Sequence, residues 1–319
     1  MVLARRLTEH QERAVTPDNQ STTHQDFSAS PAAFAGSTAL GGDLIVNRMG
    51  FGAMRITGPG IFGPPSDKDE AIRVLRRAVE LGVDFIDTAD SYGPNVSEEL
   101  IAEALHPYPQ GLVIATKGGL ERPGPNQWTP NGHRAHLRKA LEGSLKRLKV
   151  ERIDLWQLHR IDPAVPDDEQ FATLAEFVRQ GKVRYVGLSE VDIDEIQRAR
   201  RFVDIVSVQN RYNVFDRRWE SLIEFCERER LAFIPWFPLG AGKLRSEVHE
   251  DRAHERLERV ARRHEASVMQ VGLAWLLARS PSMLVIPGTS KVRHLEENVA
   301  AAELELDDED IHILETAIA

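Results

Sequence analysis

Cysteine is almost absent. Cys226 is the only one in 319 residues, so no intramolecular disulfide and no cysteine-built zinc site can form. That usage predicts a reducing compartment, the cytoplasm, with Cys226 as a small core residue and no bound metal. No apolar run is long enough to span a bilayer, and the opening MVLARR lacks the apolar stretch of a secretory signal. A basic excess is missing too: the net charge of −9 argues against a general nucleic-acid surface, while leaving room for a local phosphate site. What is present is ordinary for a soluble globular chain, with 42% hydrophobic and 28% charged residues and enough length for a sizeable core.

Residues 1–37 are rich in Gln, Thr, Ser, Glu and Ala and are expected to be a disordered extension, leaving 38–319 as one domain. The segment 39–46 (ALGGDLIV) predicts a hairpin around Gly41-Gly42, leading into a first strand over 48–54. Short apolar runs follow at 84–87, 112–116, 153–158, 183–188, 205–209, 231–235 and 284–287. Amphipathic segments alternate with them at 68–81, 97–105, 133–148, 168–180, 192–201, 217–229 and 291–301, with a further helical pair over about 251–279. Apolar runs without alternation suit strands covered on both faces. Eight strand–helix units over roughly 250 residues predict an α/β fold, a single closed (β/α)8 barrel. The rival is an open doubly wound sheet. It is disfavoured because GFGAMR (50–55) lacks the third glycine of a dinucleotide fingerprint.

In such a barrel the carboxyl ends of the strands build the site. Asp87 ends one run, Tyr92 lies in the loop after it, Lys117 ends the next run and His159 the one after that. Singly, each has a plain reading: a solvent-facing lysine, a helix cap, a loop-packing tyrosine, a hydrogen-bonded histidine. Together at one rim they make a proton donor for a carbonyl oxygen. Tyrosine is a weak acid, with a pKa of about 10. A neighbouring ammonium favours its phenolate, a carboxylate would hold that ammonium, and the imidazole would orient the carbonyl.

The motifs GFGAMR at 50, FIDTADSYG at 85, IATK at 114, LWQLH at 155, VGLS at 186, VQN at 208, WFPLG at 236 and IPGTSKVRHLEEN at 286 resemble the aldo-keto reductase superfamily over about 40–319. The resemblance implies that Tyr92 is the general acid, that Lys117 and Asp87 tune it, and that His159 orients the carbonyl. It also implies a nicotinamide cofactor laid across the rim without a Rossmann domain. Ser189 and Gln209 would meet the nicotinamide amide, and Trp236 would stack on the ring. Glu190 departs from the asparagine often found there; ionised, it can accept but not donate. Phe237, Pro238, Leu239, Gly240 and Lys243 belong to the loop over the pyrophosphate, and Met54 and Pro287 complete the same lining. Gly288, Thr289, Ser290, Lys291 and His294 open a helix that would hold the adenosine 2′-phosphate, with Glu297 and Asn298 on the adenine. NADPH is therefore the expected cofactor, with NADH left open because His294 replaces the usual arginine.

Substrate is less legible. Loops 55–66 and 118–132, with Ile61, Phe62 and Trp128, suggest a partly aromatic pocket. The stretch 49–65, with FPLG and IPGTS, is similar to bacterial pyridoxal reductases within the superfamily, which implies pyridoxal or another aromatic aldehyde as the small-molecule partner. Three readings stand beside it: a broad-specificity detoxifying aldehyde reductase, a nucleotide-binding redox-sensing subunit of a membrane channel or transporter, and a sugar isomerase on the same barrel. A monomer or weak homo-oligomer is expected.

Overall fold

The structure is a computed structural model that describes residue 27, residues 29–240 and residues 252–315. Strands β1 (Ser37–Leu40) and β2 (Leu44–Asn47) pair antiparallel. Their turn carries Gly41 and Gly42 at φ 62° and 90°, the left-handed backbone that the double glycine predicts. A parallel sheet follows in the order β3 (Phe51–Gly52), β4 (Phe85–Asp87), β5 (Val113–Gly118), then β8 (Ile153–Leu158), β9 (Val183–Ser189), β10 (Ile205–Gln209) and β11 (Ala232–Phe233). Between β5 and β8 a small hairpin, β6 (Leu120–Glu121) and β7 (Thr129–Pro130), decorates the rim. Sequence periodicity gave no sign of it.

The sheet closes on itself. Met283 bridges Phe233 beside one edge and Val285 bridges Met49 beside the other. Leu284 N–H donates to the Phe233 carbonyl at 2.9 Å, and Gly50 N–H donates to the Val285 carbonyl at 2.8 Å. The run 284–287 thus acts as the eighth strand, cut short where Pro287 has no N–H to give. Every residue of β5 and β10 is buried, the pattern of strands covered on both faces. Inside, Phe85, Val113, Leu155, Val206 and Leu284 form an apolar cluster joined from below by Leu40 and Val46 of the hairpin. The hairpin is a stopper at the amino-terminal end of the barrel.

An outer ring is formed by α1 (Lys68–Glu80), α2 (Val96–Leu105), α3 (Arg134–Leu148), α4 (Asp167–Arg179), α5 (Ile193–Ala199) and α6 (Glu220–Glu229). It continues with α7 (Arg252–Arg263), α8 (Val268–Arg279), α9 (Val292–Val299) and α10 (Asp308–Glu315). Helix α1 shows why these positions are helical. The Asp67 side chain caps the Glu70 N–H, and Ala71, Val74, Leu75, Ala78 and Val79 repeat at helical spacing on the buried face. Cys226 sits in the core of α6 as expected, its thiol pushed up to about 12 by burial.

The boundary of the expected 1–37 extension moves. Residues Pro31–Ala35 form a 3₁₀ helix with Ala32 and Ala35 buried, and Ala32 N–H donates to the Leu81 carbonyl at 3.0 Å. Arg48 fastens this segment by donating to the carbonyls of Ala35, Leu277, Ser280 and Met283. Polar composition hid the segment because two alanines supply its buried face. Residues 1–26 and 28 of the expected extension lie outside the described residues.

Candidate active site

Parallel register brings the polar groups to one end. Asp87 pairs with Ala115, and Lys117 with Gln157, so consecutive strands end within a residue or two of each other. Tyr92 hangs in the loop after β4, and His159 follows β8 directly. The ammonium of Lys117 donates to Asp87 Oδ2 at 2.6 Å, to the Thr88 carbonyl at 2.8 Å and to the Tyr92 hydroxyl at 3.2 Å. All three of its donors are used, although the side chain is 0% exposed. The other oxygen of Asp87 accepts from Gln157 Nε2 at 3.1 Å and Gln209 Nε2 at 2.8 Å. Such a fully bonded pair offsets the desolvation that burying two charges costs.

Burial pulls the Lys117 ammonium down, but Asp87 and Tyr92 outweigh it and hold the group above its ordinary value, so it is charged. For Tyr92, burial raises the phenol; Lys117 pulls it down as the sequence predicts, and Asp87 pushes it up again. The net direction is upward, which corrects the expectation of an acidified phenol. At rest the proton stays on Tyr92, and the ammonium can only act once negative charge has formed on that oxygen. His159 is held well below 6.5 by burial first, then by the Lys117, Arg160 and Arg122 cations. It is a neutral imidazole, its Nδ1 3.3 Å from Ser91 Oγ. Its ring lies 5.8 Å from that of Tyr92. The arrangement provides a loaded proton donor, a fixed cation to stabilise the oxygen left behind, and a neutral hydrogen-bonding ring beside both.

The residues expected around a nicotinamide lie on the adjoining part of the rim. Ser189 Oγ accepts from Arg160 Nη1 at 2.9 Å. Gln209, expected at the nicotinamide amide, turns its own amide N–H onto Asp87 and so joins the two groups of residues. Glu190, at φ 56°, accepts from the Trp236 indole at 2.6 Å and from Arg211 N–H at 2.7 Å. A carboxylate suits this position because both partners are donors, whereas an asparagine oxygen would bond them without charge. The guanidinium carbons of Arg160 and Arg211 each lie 6.0 Å from the Trp236 ring centroid. A half-buried aromatic face flanked by two cations suits a flat ligand that carries phosphates.

Phe237, Pro238, Leu239 and Gly240 form a turn, with Gly240 N–H donating to the Phe237 carbonyl at 3.0 Å and Asn213 Nδ2 holding that carbonyl at 3.1 Å. Met54 lies in a short 3₁₀ turn after β3, and Gly52 N–H donates to the Pro287 carbonyl at 3.3 Å. Gly288 must be glycine, since a Cβ there would meet the Gly52 carbonyl oxygen at 2.6 Å. Thr289 is buried, Ser290 and Lys291 are exposed, His294 and Glu297 are partly exposed and Asn298 is buried, all at the start and along α9. Lys243 lies outside the described residues. One feature of α9 was not legible in sequence: Glu70, from α1, accepts from Val292 N–H at 3.1 Å. The first turn expected to meet a phosphate already holds a carboxylate.

Sequence reasoning also missed Gln157, Arg160 and Arg122. Arg160 immediately follows His159, but it lies past the end of the apolar run, where no periodic signal marks it. Arg122 lies beyond β5 in a segment without apolar spacing, where only contacts reveal a role.

Among the described residues no helix is long and apolar enough to cross a membrane. The sequence matches the aldo/keto reductase family over residues 48–319. It is 52% identical over 282 residues to an uncharacterized oxidoreductase of Schizosaccharomyces pombe, covering 88% of this chain and 90% of that protein. It is 43% identical over 281 residues to pyridoxine 4-dehydrogenase of Escherichia coli, covering 86% and 96%. Among solved structures, the glycerol dehydrogenase of Gluconobacter oxydans superposes with a TM-score of 0.81 at 26% identity, covering 89% of this chain and 95% of that one.

Proposed function

Because the chain belongs to the aldo/keto reductase family, we propose that it reduces an aldehyde to the primary alcohol with NADPH, Tyr92 supplying the proton. The observation that carries this reading is the Lys117 ammonium bonded at once to Asp87 and to the Tyr92 hydroxyl, at 2.6 and 3.2 Å. Bound nicotinamide would supply the hydride. The chain's own residues do the rest. Trp236, held by Glu190, would present a face for the ring, with the Arg160 and Arg211 cations near it. The neutral imidazole of His159 bonds and orients the carbonyl oxygen. Tyr92 gives its proton to that oxygen as negative charge develops, and Lys117 stabilises the phenolate that remains.

An aromatic aldehyde such as pyridoxal is the favoured substrate. Trp128 lies 6.3 Å from the Tyr92 ring and 6.2 Å from that of His159, so the carbonyl would be received among three rings. The similarity to a pyridoxine 4-dehydrogenase points the same way. The test is steady-state oxidation of NADPH over a panel of aldehydes, with pyridoxal expected to give the highest kcat/KM. Equal turnover of pyridoxal and simple aliphatic aldehydes would replace this substrate with a broad specificity.

Glu70 bears on the coenzyme. A 2′-phosphate at the start of α9 would have to share the Val292 N–H with this carboxylate, against its charge. Glu70→Gln is therefore expected to tighten NADPH binding about two- to fivefold while leaving NADH nearly unchanged. Fluorescence titration of each coenzyme measures this directly. An unchanged NADPH affinity would place the 2′-phosphate elsewhere.

A further inference from the structure

Beyond its share in keeping His159 neutral, Arg122 has no part in the chemistry described above, yet its guanidinium is heavily engaged at the rim. Its guanidinium donates to the carbonyls of Gln127 at 2.8 Å, Ile61 at 2.8 Å, Ser91 at 2.7 Å and Gly60 at 2.9 Å. Those four carbonyls belong to three separate loops: the one after β3, the one carrying Tyr92, and the one carrying Trp128. Among the described residues no carboxylate pairs with Arg122. Its charge is instead set against an aromatic face, with the guanidinium carbon 3.5 Å from the Trp128 ring centroid.

The backbone around it is shaped to meet the guanidinium. Gly60 has φ 67°, Ile61 φ 55° and Asn126 φ 54°, all left-handed, which turns their carbonyls out of the usual direction. Ile61 and Asn126 adopt this conformation against the ordinary preference of residues with a side chain. The loops also bond one another directly: Asn126 N–H donates to the Gly60 carbonyl at 3.0 Å, and Gly63 N–H to the Gly93 carbonyl at 2.6 Å. The Trp128 ring so held stands at 86° to Tyr92 and at 63° to His159, within 6.3 Å of both centroids.

We propose that Arg122 is a positioning residue for substrate selection: by fixing Trp128 beside Tyr92 and His159 it makes the mouth of the site a slot for flat, aromatic carbonyl compounds. The proposal rests on the carbonyl-reductase reading above and adds the group that sets its substrate class. Arginine is required because no other side chain can reach four carbonyls in one plane while stacking on a ring. Lysine would keep the charge and lose the geometry. A short aliphatic aldehyde gains little from the Trp128 face and should be less affected by its displacement.

The test compares benzaldehyde with propanal in the full-length protein. Wild type is assayed first; failure to reduce either with a nicotinamide coenzyme would remove the carbonyl-reductase reading itself, independently of Arg122. In Arg122→Met and Arg122→Lys the kcat/KM ratio of benzaldehyde to propanal is expected to fall roughly tenfold, mostly through KM, as loss of a cation–π-held ring contact implies. NADPH dissociation constants, read by fluorescence, should stay within about twofold. Trp128→Ala should lower the same ratio as far, and the double variant should fall no further, because both changes remove one contact. A ratio preserved in the arginine variants, or effects that add in the double variant, would overturn the proposal. Should neither arginine variant fold, Trp128→Ala decides alone, since an unchanged ratio there leaves Arg122 nothing to position.

Discussion

Tyr92→Phe is expected to lower kcat by about 10²–10⁴-fold, the range that a positioned general acid contributes. Only one oxygen is removed, and the ring keeps its place against Trp128 and His159. Coenzyme affinity should hardly change, because the hydroxyl bonds Lys117 and none of the residues grouped around Trp236. Single-turnover reduction together with a fluorescence titration separates the two effects. Near-normal turnover would mean that another group gives the proton. The pH profile offers a second check. His159 is uncharged well below 6.5, so activity that needs the neutral ring should persist as pH falls through 6.5 and be lost only when the lowered folded-state value is reached. Tyr92, held above 10, should keep its proton across the neutral range.

Lys117→Met is expected to lower kcat by about 10²–10³-fold, as loss of one fixed group opposite a developing oxyanion does. It should also destabilise the fold by about 3 kcal/mol, since it leaves a buried carboxylate without its counter-charge. The two amide donors from Gln157 and Gln209 keep the cost at that lower end of the range for broken buried pairs. Pairing it with Asp87→Asn separates folding from chemistry. The double variant should recover stability relative to Lys117→Met, having no orphaned charge, and should recover no activity. Urea denaturation and kcat measured on the same preparations decide. A double variant less stable than Lys117→Met would show that the pair is not the electrostatic unit described.

The barrel and its four polar groups were legible because each depends on local sequence. Runs such as 153–158 and 205–209 coincide with β8 and β10, since strands buried on both faces leave an apolar signature that needs no partner to be read. Asp87, Lys117 and His159 stand at the ends of such runs, so strand register alone carries them together. The first and last runs were also expected as strands, but they are short: β3 pairs with β4 at two positions only, and the last run is held by single bridges at Met283 and Val285. Helix α10 was missed because acidic residues occupy its first turn, where they suit the helix end but mask its short apolar face. Residues whose work is done across loops were illegible. Glu70 reaches the start of α9 from α1, 222 positions away in sequence, and no local pattern marks such a partner. Tyr92 shows the opposite limit: its neighbours were foreseen correctly, but the balance between them was not, because burial depends on everything packed around the ring.

The apolar stopper of Leu40 and Val46 makes the barrel a cup with one lip. Among the described residues, Phe85, Val113, Leu155 and Leu284 form an apolar layer over that base. On the proposed mechanism, the Tyr92 phenolate would then regain its proton from the open end, along the way the alcohol departs. Product exit and recharging of the acid would share one doorway, so a bulky product that lingers there would slow both.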